Sequence, residues 1–150
     1  MSEEQNILPF PKTIEVRGIK PVTQGSMSAF GPGVLTDTHS KKLKPWRKAI
    51  QEAYMRASGP FYEQYVPVAI FAEFYFKRPK KPVADVPSTK GADLDKLARG
   101  LGDALTGYAY FDDCQIVEWC ISKRYVQSEK EEGVSFQIMG KNKFEGELVR

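Results

Sequence analysis

The stretch from Val66 to Phe76 constrains this chain most, because it is apolar, aromatic and β-branched with one charge, Glu73. A short run of that kind, closed by Lys77-Arg78-Pro79, reads as a central strand. A central strand needs partners on both edges and cover on its faces. The rest of the sequence supplies candidates. Thr13 to Ile19 alternates apolar and polar residues, which predicts a strand with one buried face. Cys114 to Val126 and Gly133 to Met139 predict two more, joined by the polar run Gln127 to Glu132 as a hairpin loop.

Two helices are expected. Leu43, Trp46, Ile50, Ala53, Tyr54 and Ala57 recur at helical spacing and place a helix over Lys44–Ala57, with Pro45 in its first turn and Ser58-Gly59-Pro60 after its end. Leu94, Leu97, Ala98, Leu101, Ala104 and Leu105 line one face of a second helix, Asp93–Leu105. Gly100 and Gly102 cost that helix roughly 1 kcal/mol each relative to alanine, so close packing is expected to compensate. Residues 1–11 read as a lead-in, and residues 20–40 and 83–92 as loops. The expected fold is α+β: one domain over residues 1–150, with a mixed sheet of four or five strands and two main helices packed on it.

Composition narrows the function classes. Apolar residues at 41% and charged residues at 27% describe an ordinary globular chain, not a disordered one. A net charge of +3 permits nucleic-acid binding without requiring it. No segment approaches the roughly 18 apolar residues of a membrane span, and the N-terminus lacks a secretory pattern, so cytoplasmic residence is expected. Cys114 and Cys120 read as two small buried side chains on one face of a strand, too far apart for a disulfide. His39, the only histidine, falls in a loop and reads as structural or exposed.

The chemistry-bearing residues are acidic. Asp93 and Asp95 open the second helix, and Asp112-Asp113 stand just before a strand. Each alone suits a capping or turn role. Together they suit a hard divalent cation, because Mg²⁺ takes one or two carboxylates plus waters and substrate phosphate. Such an ion can neutralise the charge that develops in phosphodiester hydrolysis. This requires both ends of the Asp93–Asp113 segment to meet. Basic residues cluster at Lys41, Lys42, Lys44, Arg47 and Lys48, at Lys77, Arg78, Lys80 and Lys81, and at Lys90. Each cluster alone reads as solvated surface; gathered around an acidic site they suit a cleft that holds a phosphate backbone.

The segment Lys90-Gly-Ala-Asp93-Leu94-Asp95-Lys96-Leu97-Ala98-Arg99, then Asp103-Ala104-Leu105, then Asp112-Asp113-Cys114-Gln115-Ile116, resembles the signature of the RusA family of Holliday junction resolvases. Gln24-Gly25-Ser26 and Lys44-Pro45-Trp46-Arg47 are similar to segments of phage and prophage members. The resemblance implies a Mg²⁺-dependent endonuclease, with Mn²⁺ as a possible substitute, that resolves four-way junctions in DNA recombination and repair as a homodimer. It implies that Asp93, Asp95 and Asp113 bind the metal, with Asp112 as second choice. It also implies that Arg99 stands where the family usually has lysine and assists at the phosphate. Arginine keeps the charge but cannot shuttle a proton. Lys96 stands in place of the usual asparagine, and Met27 where a basic residue is common. Lys90, Lys96, Arg99, Lys77, Arg78, Lys80 and Lys81 are the expected DNA contacts. Asp103 reads as a supporting ion pair near Arg99, and Arg99 itself could pair with Asp95 or Asp103. The alternatives are a nuclease for other branched DNA, a non-catalytic protein that binds branched DNA, and an interaction domain whose aspartates only cap helices.

Overall fold

The computed structural model describes residues 12–24, 37–82, 84, 85, 87 and 92–141, without the side chains of 37–40. Its elements run β1 (Ile14–Arg17), α1 (Asp37–Arg56), β2 (Val68–Lys77), α2 (Leu94–Leu105), a 3₁₀ turn (Asp113–Gln115), β3 (Ile116–Val126), a second 3₁₀ turn (Glu129–Glu131) and β4 (Gly133–Gly140). The result is the expected α+β domain: a four-stranded mixed sheet carrying two main helices. Among the described residues no helix is long and apolar enough to cross a membrane.

The sheet order is β1-β4-β2-β3. The apolar run is central, as its composition demands. It pairs β4 antiparallel, with Ile70 opposite Ile138, and β3 parallel, with Ile70 opposite Trp119. Ile70, Ala72 and Phe74 face a core shared with Trp46, Ile50 and Tyr54 of α1 and Leu97, Leu101 and Leu105 of α2. Truncating any one of these leucines to alanine should cost about 2–5 kcal/mol. The opposite face is polar: the Arg17 guanidinium lies 4.0 Å from the Tyr75 ring centroid, and Arg124 donates to Glu73 at 2.8 Å.

Four expectations are corrected. β3 and β4 do not form a hairpin, because β2 lies between them. A parallel β2–β3 pair needs a crossover, and α2 provides it. The segment after β3 crosses the end of β2, where the Glu132 carboxylate accepts from the Lys77 N–H at 2.9 Å. The Glu132 carbonyl then accepts from Gly18 N–H at 2.8 Å. Second, α1 begins at Asp37, so His39 is helical rather than in a loop. Pro45 lies well inside the helix, and the Lys41 carbonyl loses its helical N–H partner. Third, Cys114 precedes β3 in the 3₁₀ turn. Fourth, both cysteines are exposed: Cys114 stands in that turn, and Cys120 pairs with Phe71 on the sheet face turned away from the helices. Both are free thiols.

The two helix glycines are explained by close approach. A Cβ at Gly100 would stand 3.3 Å from the Val22 carbonyl oxygen, and one at Gly102 3.3 Å from Ile116 Cδ1 and 3.4 Å from the Trp119 ring. Their absent side chains let α2 lie against the 21–24 segment on one side and β3 on the other.

Candidate active site

The first turn of α2 separates two clefts. Leu97 points into the core, so neighbouring positions fall on opposite flanks of the helix. Asp95, Arg99 and Gly102 line a cleft of about 320 Å³, whose far wall is Asp113, Ile116, Trp119 and Ile121. Asp93 and Lys96 line the other, larger cleft. Asp93 holds the N-cap position with extended backbone, yet its carboxylate caps no N–H. The Lys96 ammonium instead stands 3.7 Å from Asp93 Oδ2 and 3.8 Å from Asp95 Oδ2, so both carboxylates converge on one positive group. The two are well exposed, at 61% and 81% of the side chain.

Asp113 reaches this cleft because the chain doubles back after α2. Buried Tyr110 donates its hydroxyl to the Gly102 carbonyl at 2.6 Å, and Ala109 N–H bonds the Leu105 carbonyl at 2.8 Å. Burial and the nearby charges of Asp113 and Asp103 hold the Tyr110 phenol well above its usual range, so it stays a donor. Asp112 caps the 3₁₀ turn, accepting from Cys114 N–H at 3.3 Å, while Gln115 receives the Phe111 and Asp112 N–H groups. Asp112 therefore does local structural work, and Asp113 is the one that faces Asp95.

Asp103 has a larger place than an ion pair with Arg99. It hydrogen bonds with Asp113, which is the first cause of an Asp113 pKa pushed up to about 6; partial burial and Asp112 add to it. Asp103 also accepts from Gln24 and lies 3.6 Å from Arg47, which in turn donates to Gln24. So Gln24 and Arg47, one from each upstream segment noted in the sequence, meet the acidic segment at this point. Arg99 forms no ion pair among the described residues; its guanidinium is left to the cleft.

The donors are all oxygens, and crowded carboxylates with a raised pKa are what a cation relieves. That chemistry fits Mg²⁺ or Mn²⁺. Among the described residues no three His, Cys, Asp or Glu side chains form a preformed cage, and Mg²⁺ does not require one.

Among the described residues, the larger cleft, about 800 Å³, is lined by Lys20, Lys41, Lys42, Lys77, Lys96 and Lys123, against only Asp93 and Glu132. Lys123 donates to the Ala92 carbonyl at 2.9 Å, and Glu132 is buried beneath Lys77. Arg78 and Lys80 continue the basic surface past Lys77, and Lys81 is exposed beyond them. Lys90 lies outside the described residues.

The family model for endodeoxyribonuclease RusA matches residues 20–138, which contain both clefts. The chain belongs to the RusA family. It is thus a member of a family of DNA endonucleases that resolve Holliday junctions. No curated protein matches the chain significantly. Sequence reasoning named the RusA-like aspartates and Arg99, but it assigned Gln24 no role and misplaced the partner of Asp103. It quoted Gln115 without a role. The one signal for these residues was their position inside the family-like segments.

Proposed function

We propose that this RusA-family chain resolves four-way DNA junctions by paired, symmetric phosphodiester hydrolysis with Mg²⁺, in DNA recombination and repair. The observation that carries the reading is the shared cleft: Asp95 and Arg99 from α2 face Asp113 from the loop before β3. Asp95 and Asp113 would hold the metal from within this cleft, with Asp93, which shares the Lys96 ammonium with Asp95 across the first turn of α2, as third ligand and Asp112 as second choice. The bound ion supplies charge neutralisation at the phosphate and a more acidic water. Arg99 binds a phosphate oxygen by charge and does not move a proton. Ile116, Trp119 and Ile121 form an apolar wall that limits water at the back of the cleft. The lysine-lined cleft, with Arg78, Lys80, Lys81 and Lys90, carries the backbone of the branched DNA by charge. Two matched cuts on symmetric strands call for two matched sites, which a two-fold homodimer presents.

The test is cleavage of a labelled synthetic four-way junction with Mg²⁺ by the wild-type chain and by Asp95→Asn. Paired symmetric nicks that vanish in the variant support the reading, and equal or better cutting of flaps or forks would redirect it to other branched DNA. The ammonium of Lys96 beside Asp93 and Asp95 favours one second reading, a protein that binds branched DNA without cutting it. Tight junction binding with no metal-dependent nick would select that reading.

A further inference from the structure

The two halves of the cleft are anchored to different elements. Asp95 and Arg99 belong to α2, whereas Asp113 sits on the loop that precedes β3. Something must set the distance between them, because a misplacement of about 1 Å can cost a hundredfold in rate.

One buried side chain spans the gap. Gln115 is 5% exposed, and its amide uses every hydrogen-bonding position. Its Oε1 accepts from the N–H groups of Phe111, at 2.9 Å, and Asp112, at 3.1 Å. Its Nε2 donates to the carbonyls of Glu63, at 2.8 Å, and Val66, at 3.0 Å, with Tyr62 at the limit of 3.5 Å. Two hydrogens serve those acceptors, so Glu63 and Val66 take them and Tyr62 is marginal. The amide cannot be reversed: turning it would set NH₂ against two N–H groups and oxygen against carbonyls. Glu63 to Val66 leads through Pro67 into β2, an interior strand of the sheet. The pair of residues before Asp113 is therefore tied to the central strand, not merely to its own turn.

We infer that Gln115 is a positioning residue that holds Asp113 at its working distance from Asp95 and Arg99. This rests on the nuclease reading above. The side chain touches neither cleft directly; it acts through the Phe111–Asp112 backbone. No other side chain among the described residues is seen to bond these two N–H groups.

The test uses the full chain with Gln115→Met, which keeps the shape but removes the hydrogen bonds, and Gln115→Asn, which keeps the amide but is too short to reach both anchors. Thermal melts establish the folded fraction. Per folded molecule, junction-nicking kcat should fall about a hundredfold in Gln115→Met and about tenfold in Gln115→Asn, with KM for the junction unchanged. Amide exchange at Phe111 and Asp112 should quicken in both. If Gln115→Met fails to fold, Gln115→Asn decides. A loss of melting temperature with wild-type kcat would make the role merely structural and overturn the inference, as would unchanged exchange at both amides. Should the wild-type chain itself leave junctions uncut, the functional reading fails instead, and the exchange rates still decide whether the clamp holds the loop.

Discussion

Two clefts share the first turn of α2 and differ in nearly every physical respect. One is small, walled by Ile116, Trp119 and Ile121, and among the described residues holds Asp95 and Asp113 with a single cation, Arg99. The other is more than twice as large and carries six lysines among the described residues. The first concentrates carboxylates at one point, which suits a compact divalent ion. The second spreads positive charge over a length, which suits a polyanion and little else. On the proposed reading, cutting and holding fall to physically separate clefts, joined by the Asp93–Lys96–Asp95 ion pairs on the ridge between.

That separation can be broken by substitution. The largest effect is expected at the small cleft: Asp95→Asn or Asp113→Asn should lower junction nicking by more than about a hundredfold, since even partners behind metal ligands cost 10–100-fold. Junction binding measured without metal should not weaken, because these residues repel phosphate rather than attract it. Equal losses in binding and cutting would mean that the two clefts are one site. Next, Arg99→Gln should cost about tenfold or more in nicking, and Arg99→Lys should restore most of it if charge alone matters. At the large cleft, Lys41→Gln with Lys42→Gln should weaken junction binding and reduce the salt slope by roughly one for each phosphate left without its lysine. A slope unchanged by both would remove the lysine cleft from the DNA path.

The smallest effect sharpens the comparison through pH. The folded-state pKa of Asp113, about 6, lies above its ordinary value of 3.8, so the folded chain holds this proton more tightly. Its contribution to stability is therefore full below the unfolded pKa and is lost as pH rises through about 6. In metal-free buffer the wild-type melting temperature should rise relative to that of Asp113→Asn as pH is lowered from 7 to about 4. The group is largely exposed, so the difference should be modest. A difference that does not vary with pH would mean that the carboxylates of Asp103 and Asp113 do not crowd each other in solution.

Some of this was legible in advance because it is local. The strand at Val68–Lys77 follows from a β-branched and aromatic run, and α2 from a single apolar face ending at Leu105. Asp93, Asp95 and Asp113 were legible as candidates because ordered spacing survives in a linear string. The exposure of Cys114 and Cys120 was not, because it depends on where β3 begins and on which face of the sheet the helices cover.

What the sequence by itself determined is therefore the identity of the elements, the apolar face of α2 and the family to which the chain belongs. Periodicity and motif spacing are properties of neighbouring residues. Only the tertiary structure decided the order β1-β4-β2-β3, the transfer of Asp103 to Gln24 and Arg47, the split of Asp93 from Asp95 across α2, and the Gln115 clamp. Each joins residues far apart in the chain, and a long-range hydrogen bond or a parallel strand pair leaves no periodic trace in the segments it connects.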